Sequence, residues 1–231
     1  MSFFSPEIIN PEHGHHSHLT PTGYAILVVI LLVLLLGACY ISGKRREKQG
    51  KSSISTKQLV FCAAAMALAV ITSQLKLMHL PMGGSVTLFS MLFICLIGYW
   101  YGPYTGITAA FAYGLLKLVI DPHIYSIPQM LTDYPFAFGS LGLSGLFSNK
   151  KHGLIKGYLL GVLGRYFFAF LSGMIFFGSY ATDYGISAPV YSLAYNGSYI
   201  GAETVVTLIV LSIPAVQKGL ANIKVLANSD L

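Results

Sequence analysis

From Pro21 to Ser42 the chain runs without one charged side chain (PTGYAILVVILLVLLLGACYIS), and apolar stretches recur six more times before the C-terminus. About 20 apolar residues suffice to cross a bilayer, so this recurrence restricts the fold to a bundle of membrane helices. Composition agrees: with 55% hydrophobic and 10% charged residues, one soluble domain could not hide its apolar surface. The formal charge of +6 invites a nucleic-acid reading. Its distribution argues against one, because eight of the fourteen lysines and arginines fall in two clusters beside apolar stretches. These are Lys44, Arg45, Arg46, Lys48, Lys51 and Lys57, then Lys150 and Lys151, and such clusters mark cytoplasmic loops. No nucleic-acid partner is expected. Cys39, Cys62 and Cys95 each lie inside a different apolar stretch, which gives neither a disulfide framework nor a zinc spacing.

Residues 1–20 are polar and carry His13, His15, His16 and His18; without fixed geometry this tract reads as an extracellular tail, not a metal site. Residues 21–42 read as an uncleaved N-terminal transmembrane anchor. No basic residue precedes them and KRREK follows, which puts the N-terminus outside and the far end in the cytoplasm. Residues 43–57 then form a basic cytoplasmic linker. Gly43, Gly50, Lys51 and Ser52 superficially resemble a phosphate-binding loop, but six residues separate the glycines instead of four and no strand precedes them. No ATP site is expected there. Six spans follow within 58–220, at about Gln58–Leu77, Thr87–Tyr101, Tyr104–Ile120, Ile127–Phe147, Leu154–Gly178 and Leu193–Val216. Alternating sides from the anchor brings Lys150, Lys151, Lys218 and Lys224 to the cytoplasm, with the tail 221–231. The expected fold is an all-α membrane protein of the cell membrane, a six-helix core preceded by one extra N-terminal transmembrane helix.

Polar residues inside the spans mark function, since a charge at that depth is costly and normally faces a partner, a cavity or a ligand. Asp133 is the first of these, roughly 9 Å into its span at 1.5 Å per residue, with Gln129 one turn away on the same face. In the last span Tyr191, Tyr195, Tyr199 and Glu203 recur at steps of four, with Asn196 alongside. Arg165 and Glu203 lie at comparable depths and are expected to pair, leaving Asp133 free. A carboxylate among Tyr134, Tyr191 and Tyr195 suits a small planar cation, through Coulomb attraction and cation-π contact. Ala63 with Ala67 and Ala65 with Ala69 give the first core span a flat face for close helix packing. Gly142, Leu143, Ser144 and Gly145 spell the GxSG of intramembrane proteases, but outside the tail only His79, His123 and His152 are present, all near loops. A serine nucleophile needs a histidine partner, so no enzyme is expected. The glycosylation sequon at Asn196, Gly197 and Ser198 starts a helix within the proposed site and is discounted.

Four blocks together, LPMGGSVTLFSM (80–91), IPQMLTDYPFAFGSLGLSGLF (127–147), RYFFAFLSGMIFFGSYA (165–181) and YSLAYNGSYI (191–200), resemble the thiamine-specific S-component family of energy-coupling factor (ECF) transporters. The resemblance covers roughly residues 58–220; the N-terminal anchor and its histidine tract fall outside the usual six-helix pattern. It implies a vitamin-binding membrane subunit that takes thiamine from outside and docks on a transmembrane scaffold driven by two cytoplasmic ATPases. No cofactor is implied beyond the transported vitamin. By the family pattern Asp133 stands at an acidic ligand position with Tyr134 beside it, Tyr191 and Asn196 match a tyrosine and an asparagine that hold the vitamin, and Phe177 matches a stacking aromatic. Tyr195 and His123 complete the expected binding set, and Ala63 and Ala67 match the small-residue motif that meets the scaffold. Ala169 departs from the pattern, standing where the family usually has a histidine. That substitution keeps open a thiamine precursor or related heterocycle as the substrate. A secondary transporter working without ATPases is the other alternative.

Overall fold

The computed structural model describes residues 55–80 and 84–229, together with the backbone of two short antiparallel strands, β1 (Ile8–Asn10) and β2 (Gly14–His16). The expected anchor at 21–42 and most of the flanking tail and linker lie outside the described residues. The bundle begins with α1 (Thr56–Gln74), whose N-terminus is capped by the Ser55 side chain accepting from the Gln58 backbone. A hairpin of β3 (Lys76–His79) and β4 (Ser85–Thr87) follows, then α2 (Ser90–Tyr101) and α3 (Pro103–Ile120). Gly102 makes the tight turn between these helices at φ +85°, and Pro103 opens α3 where its missing N–H costs nothing.

The stretch 127–147 forms one rod, α4, built of four pieces: an α turn at Ile127–Leu131, a π turn at Thr132–Phe136, an α turn at Ala137–Gly139 and a 3-10 segment at Ser140–Phe147. Pro135 lies inside the π turn and cannot donate to the preceding turn, so the widened geometry there has a local cause. α5 (Gly153–Phe176) leads through a 3-10 segment at Gly178–Tyr184 into α6 (Ala188–Ser212). α7 (Pro214–Ala227) then leaves α6 at an angle of 87°.

Among the described residues three unbroken helices, α1, α3 and α5, are long and apolar enough to cross a membrane, and α6 joins them only when taken with α7 across the bend. The chain is a multi-pass membrane protein built of helices, with the β3–β4 hairpin set between α1 and α2. Its last expected span, read as Leu193–Val216, instead starts at Ala188 and ends at Ser212. Pro214 has no N–H to continue the ladder, and α7 turns under the bundle. There the Asn228 amide donates to the Trp100 carbonyl at 3.2 Å and the Lys57 ammonium donates to Ser229 Oγ at 2.5 Å. The third expected span is also shorter than read. α2 has 12 residues, about 18 Å at 1.5 Å per residue, against a hydrocarbon thickness of about 30 Å. The β3–β4 hairpin precedes it and lines the cavity through Lys76, Gly84, Ser85 and Thr87, the kind of place where a membrane protein tolerates non-helical backbone.

Glycines let the lower half of α4 sit against three helices at once. A Cβ at Gly142 would lie 2.3 Å from the Ile107 backbone nitrogen, and one at Gly157 would lie 2.5 Å from the Ser144 carbonyl oxygen. Close packing accounts for the small residues at 142–145, and Ser144 is part of it: fully buried, its hydroxyl donates to the Cys95 carbonyl at 2.8 Å. Gly142→Val is therefore expected to destabilise the bundle by at least about 2 kcal/mol, since α3 and α4 must separate to admit the side chain. Thermal melts in detergent measure this; a melting temperature equal to wild type would show that the contact is dispensable.

The two alanine pairs of α1 do not share a face. Ala65 and Ala69 are buried against the bundle, whereas Ala63 and Ala67 are exposed beside Leu59, Val60, Leu68 and Ile71. Residues two apart in a helix point about 200° from one another, which separates the pairs.

Candidate functional site

One end of the bundle is hollow. The C-terminal end of α3, the first half of α4, the C-terminal half of α5, the start of α6 and the β3–β4 hairpin enclose a cavity of about 190 Å³. All seven residues expected to bind ligand line it: His123, Asp133, Tyr134, Phe177, Tyr191, Tyr195 and Asn196. They come from four separate segments, and their meeting is a consequence of the fold rather than of their spacing. The cavity also takes in Tyr113 and Lys117 of α3 and Lys76 of the hairpin, so it is wider than the last three helices and first loop alone.

Asp133 stands in the π turn of α4, with one carboxylate oxygen accepting from Gln129 Nε2 at 2.6 Å. Gln129 is almost fully buried and fully employed: the same amide nitrogen donates to the His123 carbonyl, and its oxygen accepts from the Tyr125 backbone at 2.8 Å. It fixes both the loop before α4 and the direction of the Asp133 side chain. Among the described residues no lysine, arginine or histidine pairs with Asp133 within 4 Å. Gln129→Leu should lower ligand affinity about three- to tenfold by freeing the Asp133 rotamer, for one charge-assisted bond is lost without touching the ligand. A calorimetric titration checks this; unchanged affinity would mean that Asp133 holds its direction unaided.

The tyrosines divide by role. Tyr134 is buried and its hydroxyl is occupied, accepting from the His123 backbone at 2.7 Å and donating to the Asp121 carbonyl at 2.8 Å. It holds the loop and offers the cavity only its ring. The Tyr195 hydroxyl accepts from the Gly84 backbone at 2.8 Å, tying the hairpin to α6. Tyr184, Tyr191 and Tyr195 stack in sequence, with ring centroids 5.5 and 5.7 Å apart, and Tyr199 meets Tyr195 edge-on. Phe177, at the end of α5, sits between Tyr125 and Tyr180. Asn196 uses its amide nitrogen to grip α5 through the Ala169 carbonyl at 3.2 Å, and its oxygen accepts from Tyr199 at 2.8 Å.

The expected Arg165–Glu203 ion pair is not formed. Glu203 is buried and turns to the N-terminus of α2, where it accepts from the Met91 backbone at 3.1 Å, Ser90 Oγ at 3.1 Å and Thr87 Oγ1 at 2.7 Å. The unsatisfied N–H groups at a helix start favour an anion, so a carboxylate suits that place as well as a cation partner would. Arg165 instead points into the cavity, its guanidinium carbon 4.4 Å from the centre of the Phe138 ring. Comparable depth was visible in the sequence; direction around the helix axis was not.

At the cavity rim Asp121 collects three basic groups: Lys76 at 3.2 Å, and Lys117 and His123 at 3.8 Å. Burial pushes its carboxyl up, but the hydrogen bond from Lys76 and the charges of Lys117, Lys76 and His123 outweigh this and hold it below the usual range. The tie between hairpin and α3 is thus complete at neutral pH and is lost only as pH falls through that lowered value. Of these groups only His123 was expected at the site from sequence; Asp121, Lys76, Lys117 and Ser172 were not singled out, and Gln129 was noted only for sharing a face with Asp133. Lys76 and Lys117 flank apolar stretches and read as ordinary interfacial lysines, and nothing local marks a serine in a helix.

Residues 59–222 match the family described as Thiamine transporter protein (Thia_YuaJ). The Thiamine transporter ThiT of Bacillus subtilis (strain 168) is 32% identical over 177 residues, which cover 71% of this chain and 91% of that protein. The protein of the same name from Lacticaseibacillus paracasei is 31% identical over 122 residues, 46% of this chain and 60% of that protein. The solved structure of ThiT from Listeria monocytogenes superposes with a TM-score of 0.58 at 26% identity, covering 68% of this chain and 91% of that one. With the family match spanning most of its length and the bundle reproduced in a solved relative, this chain belongs to the thiamine transporter protein family.

Proposed function

We propose that this protein is the substrate-binding S-component of an ATP-dependent vitamin transporter and that its ligand is thiamine, held in the cavity around Asp133. The observation that carries the reading is a carboxylate without an ion-pair partner among the described residues, set in a cavity walled by Tyr191, Tyr195 and Phe177. A thiazolium ring is a planar cation and gains from both the negative charge and the aromatic faces. Arg165, facing the same space, suits the acceptor atoms that thiamine also carries, its ring nitrogens and hydroxyl. The names of the relatives point to the same vitamin.

Two further parts belong to this proposal. The cavity opens outward: it lies at the end of the bundle opposite Lys150, Lys151 and Lys218, and basic loops face the cytoplasm. The exposed face of α1 with Ala63 and Ala67 meets a transmembrane scaffold served by two cytoplasmic ATPases. The chain is purified in detergent and the co-purifying small molecule identified by mass spectrometry; thiamine is expected, and a different heterocycle would redirect the assignment. Uptake in vesicles that follows ATP hydrolysis by partner subunits supports the S-component reading. Uptake by this chain alone on a proton gradient would support a secondary transporter instead.

A further inference from the structure

One buried hydroxyl in the cavity completes no hydrogen bond among the described residues. Ser172 has no solvent exposure, and its Oγ has no hydrogen-bond partner among the described residues. A serine within a helix ordinarily returns its hydroxyl to a carbonyl one turn back. Here the Ala169 carbonyl, three residues earlier, accepts from the Asn196 amide and not from Ser172. Four other hydroxyls of the cavity lining are committed: Ser192 to the Phe170 carbonyl at 2.7 Å, Ser73 to the Val70 carbonyl at 2.8 Å, Ser90 and Thr87 to Glu203. Ser172 lines the cavity on the same stripe of α5 as Arg165 and Ala169. It faces the Asp133 carboxyl but completes no hydrogen bond with it. Orphaned buried polar groups are rare, and at a binding site a ligand atom is the natural partner.

We infer that Ser172 is a ligand-contacting residue that sets specificity: with Asp133 it reads the amino-heterocycle edge of the vitamin. A carboxylate can only accept, and the Ser172 hydroxyl can donate. Side by side they complement a group with an N–H donor next to a ring-nitrogen acceptor, the edge that the aminopyrimidine half of thiamine presents. Asp133 takes the amino group and Ser172 the ring nitrogen. A hydrogen-bonding contact of this kind rejects analogues that lack the atom more strongly than shape alone can, because the buried hydroxyl is then left unpaired again. The small methyl of Ala169, one turn away, leaves room for the ring at this place.

This assignment rests on thiamine being the ligand, and the test separates the two. Wild type and Ser172→Ala are purified and titrated with thiamine and with an analogue in which the ring nitrogen beside the amino group is replaced by C–H. Melting of the ligand-free proteins is recorded alongside. The expected result is a loss of about fivefold or more in thiamine affinity for Ser172→Ala, with both proteins binding the analogue alike. Ligand-free Ser172→Ala should melt at or above wild type, since an unpaired polar atom has been removed. Unchanged thiamine affinity overturns the assignment and leaves the thiamine reading standing. A variant that melts lower and loses thiamine and analogue in parallel also overturns it, by showing a structural serine. Wild type that binds no thiamine removes the underlying reading and this inference with it.

Discussion

Asp133→Asn is expected to cut thiamine affinity at least tenfold while leaving the protein as stable as before, or more so. The substitution keeps the shape of the side chain and removes the negative charge that the cavity holds without an ion-pair partner among the described residues. Hydrogen bonds to a charged group are worth about 1.5–3 kcal/mol, and a factor of ten corresponds to about 1.4 kcal/mol. Asparagine keeps an oxygen that can accept from Gln129 Nε2, so the side-chain direction is preserved while the charge is lost. Stability moves the other way because an isolated carboxylate is costly to bury, and its neutral isostere is not. Titration of each protein, with melts of the ligand-free forms, distinguishes the outcomes. Equal affinity would refute the role given to Asp133, and a joint fall in affinity and stability would make it a structural group.

Glu203→Ala should produce the opposite pattern, a loss of about 2–4 kcal/mol in stability, with ligand binding failing as a consequence. The carboxylate is 3% exposed and accepts from three donors, one of them the Met91 backbone N–H in the first turn of α2. Each buried donor left without a partner costs about 1–3 kcal/mol; the two hydroxyls can turn to other acceptors and the backbone N–H cannot. The effect reaches the cavity because Thr87 ends β4, and β4 holds the hairpin that Gly84 ties to Tyr195. Glu203→Gln keeps one acceptor oxygen and should recover about half of the loss. A thermal melt in detergent measures both variants. Wild-type melting of Glu203→Ala would show that the α2 terminus does not depend on this carboxylate.

These two acidic residues illustrate what the sequence makes legible. Each is a charge inside an apolar stretch, which is enough to single it out, and helical spacing put Tyr191, Tyr195, Tyr199 and Glu203 on one line as the fold has them. Their partners were another matter. Depth along a span comes from counting residues, whereas the direction of a side chain depends on which neighbour each helix packs against. Counting places Arg165 and Glu203 at comparable depth, yet one faces Phe138 in the cavity and the other the start of α2. The same limit hid the division of the alanines of α1 into an exposed and a buried pair.

Boundaries failed for different reasons. Hydropathy does not distinguish a helix from an apolar hairpin that lines a cavity, so α2 was read three residues too long at its start. Nor does it register the bend at Pro214, because α7 continues with apolar residues on one side. Tyr134 was singled out as an aromatic neighbour of Asp133, and its hydroxyl proves to be spent on the loop backbone. Ser172 lay beyond sequence reasoning altogether, since only the fold shows that its neighbours leave it without a partner.

The most direct test of the central claim is a crystal structure of the purified chain grown with thiamine. The account predicts density for the vitamin in the cavity between α4, α5 and α6, against the Tyr191 and Phe177 rings, with a ligand nitrogen within hydrogen-bonding distance of the Asp133 carboxylate. Thiamine bound elsewhere, or an Asp133 carboxylate closed onto Arg165 with the cavity empty, would contradict it.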